Sequence, residues 1–222
     1  SLEVPTGNIQ ALLGRNGAGK STLINIMADI IPADSGYVEI ANTVVSPAQY
    51  GYKQHVGYLI EENLLISNLS AIEYLKLMGA FYNLSKKKLD KQIEYLIAYF
   101  ELPEDRTLIR KFSKGMKAKL NLASTLIHEP KILVLDEPFN GLDFPSVQKL
   151  SKLLKKIALN GGEILIASHQ FALIAEICDR FALIEGGKMV FNISMTELSE
   201  LADEHANGSV KSYIEKAMKH HK

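Results

Sequence analysis

Gly14-Arg15-Asn16-Gly17-Ala18-Gly19-Lys20-Ser21-Thr22 sets three glycines ahead of a lysine and two hydroxyls. Glycines at 14, 17 and 19 let the backbone curl until successive N–H groups point at anionic oxygens. A lysine closing such a loop reaches the β- and γ-phosphates of a nucleoside triphosphate, and the hydroxyl after it ligates Mg²⁺. The flanks make the match informative. An apolar, strand-like run, Ile9-Gln10-Ala11-Leu12-Leu13, comes directly before, and a helix-compatible stretch, Thr22 to Ala28, follows. A helix start adds unpaired N–H groups and the positive end of its dipole. Residues 14–22 are therefore the expected phosphate-binding loop, with Lys20 on the phosphates and Ser21 on the metal.

Two further places carry chemistry. Ile132-Leu133-Val134-Leu135-Asp136-Glu137-Pro138 reads as a buried strand that ends in two carboxylates. In a phosphate-loop enzyme the first acid, Asp136, holds the magnesium ion, usually through water. The second, Glu137, faces the attacking water and polarises it, a task in which a general base contributes roughly 10²–10⁴-fold. His169 follows another buried strand, Ile164-Leu165-Ile166-Ala167-Ser168, where it could hydrogen-bond a γ-phosphate and sense hydrolysis. The remaining histidines, His55, His128, His205, His220 and His221, lack metal-ligand spacing with cysteine and are expected at the surface.

Short apolar strands alternating with helical segments dominate both ends of the chain, which predicts an α/β fold with a mostly parallel sheet. Strands are expected at Tyr37 to Ile40, Val56 to Ile60, Lys131 to Leu135 and Glu163 to Ala167. A helix is expected over 146–159, a hairpin over 181–191 and a short amphipathic helix over 209–219. Between about 69 and 126 the character changes. Ile72, Leu75, Met78 and Gly79 recur at helical spacing, as do Leu89, Ile93, Leu96, Ile97 and Phe100. This block reads as a helical subdomain inserted between core segments 1–68 and 127–222. Lys86-Lys87-Lys88 reads as a solvated charge run rather than a nucleic-acid patch.

Composition narrows the partners. Of the 222 residues 25 are basic and 25 acidic, so bulk charge favours neither nucleic acid nor an acidic membrane surface. Cys178 is the single cysteine, which excludes an internal disulfide and suits a reducing compartment. No apolar run approaches the ~18–20 residues that cross a bilayer, and without a basic start or an apolar stretch the first residues are not expected to be a signal peptide. A cytosolic domain is the expectation.

Phe112-Ser113-Lys114-Gly115-Met116, just upstream of the acidic strand, resembles the LSGGQ signature of ATP-binding cassette proteins. Asn140-Gly141-Leu142-Asp143 is similar to that family's D-loop, Ser168-His169 to its switch histidine, and Val56 to Glu61 to its Q-loop segment. The resemblance runs from about residue 5 to residue 190. It implies a P-loop NTPase fold with a small antiparallel part, and an ATP- and Mg²⁺-dependent hydrolase powering a separate transmembrane permease subunit. Two cassettes, identical or not, would meet head to tail. Ser113 and Gly115 would then contact nucleotide held by the partner, Asp143 would border it, and Glu61 would join Ser21 and Asp136 at the metal. A place on the inner face of the membrane, reached through the permease, is also implied. The FSKGM form looks most like bacterial antibiotic- and peptide-resistance exporters. Other classes are a cassette acting on nucleic acid or ribosomes, and a degenerate regulatory cassette. Only about ninety residues separate loop and signature, which opposes the long coiled coil of DNA-repair members.

The chain departs from the family at three places. Glu61 stands where glutamine is usual, adding negative charge near the γ-phosphate. Lys114 and Met116 replace a glycine and a glutamine; Lys114 either adds a favourable charge or points to solvent. The family also carries two further strands and an adenine-stacking aromatic upstream of what is Ser1 here. Such stacking is worth roughly 1–3 kcal/mol, so the sequence as it stands predicts ATP binding weaker by about one to two decades.

Overall fold

The structure, a computed structural model, describes residues 1–60, 65–206 and 209–220. Strand β1 (Ile9–Leu13) leads through residues 14–19 into helix α1 (Lys20–Met27), and a small hairpin follows, β2 (Glu39–Ile40) with β3 (Thr43–Val44). Next come β4 (Val56–Leu59) and the helices α2 (Ala71–Phe81), α3 (Lys86–Phe100) and α4 (Lys114–Thr125). The chain returns through β5 (Ile132–Asp136), α5 (Phe144–Leu159), β6 (Glu163–Ser168), α6 (Phe171–Ile174), β7 (Arg180–Glu185) and β8 (Lys188–Ser194). It continues in α7 (Met195–Ala206) and α8 (Val210–His220).

Among the described residues six strands form one sheet in the order β4-β5-β6-β1-β7-β8, parallel except for the β7–β8 hairpin. A parallel sheet covered on both faces needs apolar side chains on both, and the strands supply them. Ile9, Ala11 and Leu13 of β1 join Leu133, Leu135, Ile164 and Ile166 in one core that also takes in α2–α5. Leu12, Val134, Leu165 and Ala167 face the other way, onto Ile24 of α1. Register sets the level of the strand ends: Asp136 lies beside Ala167, and Ser168 beside Leu13. The loop after β1 and the acids after β5 therefore emerge at one edge, with the histidine after β6 between them. In open α/β sheets that edge, at the carboxyl ends of the strands, is where ligands bind.

Helix α2 opens with a capping box in which Ser70 Oγ accepts from Glu73 N while the Glu73 carboxylate accepts from Ser70 N. The lysines at 86–88 form the exposed first turn of α3, capped by Ser85. The far end of α4 is pressed onto β4. A Cβ on Gly57 would sit 2.6 Å from the Thr125 carbonyl oxygen, and Thr125 Oγ1 donates to the Tyr58 carbonyl at 3.2 Å.

His128 departs from the expectation of a surface residue: it is only 7% exposed. Its ring stacks on Tyr82 with centroids 3.7 Å apart, and Nε2 lies 3.0 Å from the Val56 carbonyl oxygen. Long-range packing buries it, which local sequence does not show. Burial, helped by the nearby His55 and Lys88 charges, lowers its pKa from 6.5 to about 4, against the opposing Val56 hydrogen bond. Below pH 6.5 the unfolded chain takes up a proton that the folded chain refuses. Stability present above that pH is thus lost on acidification, at up to ~1.4 kcal/mol per pH unit, until the folded pKa is passed. Urea midpoints at pH 7.5 and pH 5 should differ more in the wild type than in His128→Phe. Equal shifts would exclude His128 as the source.

Candidate functional site: a phosphate cradle facing two acids and a histidine

Gly14 is squeezed where the loop leaves β1: a Cβ there would lie 2.6 Å from the Ile184 carbonyl oxygen and 3.0 Å from Ala18 Cβ. Gly19, at φ 107°, caps α1 in the left-handed region that favours glycine. That cap starts the helix at Lys20, two residues earlier than the apolar pattern suggests. Lys20 is consequently buried beneath the loop, 7% exposed. Its ammonium donates to the carbonyl oxygens of Gly14 at 2.8 Å and Arg15 at 3.3 Å. Arg15, Asn16 and Gly17 form the exposed crest, Ala18 is buried under it, and Ser21 and Thr22 enter the first turn.

Ser21 Oγ donates to Asp136 Oδ2 at 2.8 Å across 115 residues of sequence. A hydroxyl and a carboxylate meeting in this way are hard oxygen donors of the kind Mg²⁺ accepts, alongside substrate phosphates, so these two residues fit the ion. Glu61, the third expected metal ligand, lies outside the described residues.

Glu137 turns away from β5 with φ 47°, held by its N–H on the Ala167 carbonyl oxygen at 2.9 Å. A non-glycine residue in this region is held there by its surroundings and marks functional sites more often than chance. Its carboxylate accepts from Ser168 Oγ at 2.9 Å and from the His169 N–H at 3.0 Å. His169 Nδ1 lies 2.6 Å from the same oxygen, Oε1. Acid and histidine, expected as separate elements, are thus in direct contact.

A cleft of about 240 Å³ opens in front of the acids, lined by Asp136, Glu137, Asn140, Lys114, Leu59 and Ile60. Ser113 caps α4, its hydroxyl accepting from Met116 N at 3.1 Å. Gly115 packs on the 140–143 loop, where a Cβ would come 3.0 Å from the Gly141 carbonyl oxygen, and the exposed Lys114 lays its aliphatic stem over Gly141. Asp143 caps α5 by accepting from Ser146 N at 3.0 Å, and hydrogen bonds from Ser146 hold its carboxyl below the usual range. Lys20, Ser21, Asp136, Glu137 and His169 therefore converge on one edge. Ser113, Gly115 and Asp143 sit at two adjacent helix starts. Sequence reasoning passes over the Ser168 hydroxyl and Gln170, whose only signal is adjacency to His169.

This sheet order, with a glycine loop and lysine after β1 and acids after β5, defines a P-loop NTPase. Comparison with known proteins narrows the class. The family description "ABC transporter" matches residues 1–140. An uncharacterized ABC transporter ATP-binding protein of Methanocaldococcus jannaschii is 34% identical over 191 residues, covering 86% of this chain and 68% of that protein. The bacitracin transport ATP-binding protein BcrA of Enterococcus faecalis is 34% identical over 200 residues, 89% of this chain and 64% of its own length. The linearmycin resistance ATP-binding protein LnrL of Bacillus subtilis is 32% identical over 199 residues, again covering 89% and 64%. The chain thus spans just under two thirds of these last two relatives. A solved ATP-binding subunit of an ABC transporter superposes with TM-score 0.88 at 26% identity, covering 96% of this chain and 90% of that one. The chain belongs to the ABC transporter family, as an ATP-binding domain of its ATPase class. Among the described residues no helix is long and apolar enough to cross a membrane.

Proposed function

We propose that this chain hydrolyses ATP with its own loop, acids and histidine, and that the cycle drives transport through a separate membrane permease. The observation that carries the reading is the convergence of Lys20, Ser21, Asp136 and the Glu137–His169 pair at one sheet edge. Residues 14–22 cradle the phosphates, and Lys20 exchanges its carbonyl partners for β- and γ-oxygens. Ser21 and Asp136, with Glu61 as a third candidate, hold Mg²⁺, which neutralises charge on the phosphate oxygens. Glu137 takes the proton of the water whose oxygen attacks the γ-phosphorus, and the bond to the ADP oxygen breaks. His169, bonded to Glu137, keeps that carboxylate oriented and faces the departing phosphate.

Ser113 and Gly115 contact the nucleotide held by a second cassette, identical or not, with Asp143 at the seam. Residues 69–126 serve as the helical subdomain, and the groove following Glu61 receives a cytoplasmic loop of the permease. The domain therefore sits on the inner face of the membrane through that subunit, with no nucleic-acid partner. Relatives named for bacitracin transport and linearmycin resistance support export of an antibiotic or peptide.

Ile66, 44% exposed, and the half-buried Leu65 lie just beyond the Q-loop segment. Leu65→Cys and Ile66→Cys in the full-length protein, co-expressed with its membrane subunit, should crosslink to that subunit. Silence at every position from 65 to 82 would count against the groove.

A further inference from the structure

Behind Glu137 a ring of hydrogen bonds closes through Asn140, Gln170 and Ser168, and Gln170 belongs to none of the motifs named above. The Asn140 N–H donates to the Glu137 carbonyl oxygen at 3.0 Å. Asn140 Oδ1 accepts from Gln170 Nε2 at 2.9 Å. The Gln170 N–H donates to Ser168 Oγ at 3.1 Å, and the Ser168 hydroxyl donates to Glu137 Oε2 at 2.9 Å. The ring leaves from the main chain of Glu137 and returns to its side chain.

Each link constrains the next. Ser168 is fully buried, so bulk water does not compete for its hydroxyl. With one lone pair taken by the Gln170 N–H, its single proton is directed onto Glu137. Asn140, in contrast, is exposed, on the loop that joins β5 to α5. Glu137 itself occupies a left-handed backbone well that a glutamate does not favour. Its alignment therefore depends on these neighbours rather than on its own preference.

We propose that Gln170 is a positioning residue that ties the 138–143 loop to the Glu137 carboxylate. The base is then in line only while Asn140 is held. The proposal rests on the reading of Glu137 as the base. It predicts that Gln170 affects the chemical step and leaves nucleotide binding alone, because none of its bonds touches the phosphate loop. A merely structural Gln170 would change stability with no such split.

The test is steady-state ATPase activity of the full-length protein. Gln170→Ala should lower kcat roughly tenfold, as small misplacements of a reacting group do, with KM for ATP within about twofold. Asn140→Ala should do the same, and the double variant should be no slower than either single one, since both cut the same ring. Exchanging the amides, Asn140→Gln with Gln170→Asn, keeps the summed side-chain length and should recover about half of the lost rate or more. A wild-type rate in Gln170→Ala, losses that multiply in the double variant, or no recovery on exchange would each overturn the proposal. Equal rates in wild type and Glu137→Gln would instead remove the base assignment, an outcome that the Gln170 variants cannot imitate.

Discussion

Glu137→Gln leaves a protein that binds ATP with near-native affinity and turns it over roughly 10²–10⁴-fold more slowly, the usual contribution of a general base. Glutamine keeps the length and shape of the side chain. Its amide oxygen still accepts from Ser168 Oγ or the His169 N–H, the donors that now hold the carboxylate. It does not take up a proton from water. The effect is therefore confined to the chemical step, and phosphate release measured beside a nucleotide titration separates the two quantities. Retention of more than about a tenth of the wild-type rate would place the base elsewhere.

Lys20→Ala acts on the other quantity. The Lys20 ammonium is the buried cation under the loop, shared between the Gly14 and Arg15 carbonyl oxygens. Hydrogen bonds to a charged group contribute about 1.5–3 kcal/mol, so its loss should weaken ATP binding roughly 10- to 150-fold. The same substitution removes a strut from the loop. The rise in melting temperature that a fixed excess of ATP gives the wild type should shrink accordingly, because a ligand stabilises a fold by the logarithm of its concentration over Kd. An unchanged ATP-induced shift would show that the loop grips phosphate through its N–H groups alone.

The parts that the sequence made legible are those written in short-range code. β1, the glycine loop and α1 form one contiguous stretch, and β5 and β6 are near-continuous apolar runs of the kind that doubly covered parallel strands require. The hairpin was harder to see. Tyr37 to Ile40 reads as one strand, yet its end is one arm of a hairpin: Ala41 and Asn42 turn the chain at φ 51° and 59°, Glu39–Ile40 pair with Thr43–Val44, and Val45 N–H donates to the Val38 carbonyl oxygen at 2.8 Å. Helix α4 escapes the periodicity because Gly115 and three lysines occupy its first turns, and only the Ser113 cap marks where it begins. Helix α7 does carry a local signal. Ser194 and Glu197 exchange hydrogen bonds in the serine–glutamate spacing of a capping box, which is easily lost after a strand. At the candidate site the residue types were legible and their contacts were not. Ser21 meets Asp136, and Glu137 meets His169, only through sheet register.

The tight seat of α4 on β4 has a mechanical consequence. With backbone packed against Gly57 and Thr125 bonded to Tyr58, the joint has little room to slip. The 12 residues of α4 then act as a stiff rod about 18 Å long, with Ser113 at its opposite tip. A displacement of β4 would therefore carry α4, and Ser113 at its tip, along with it. Whatever leans on one end of the rod therefore steers the serine at the other.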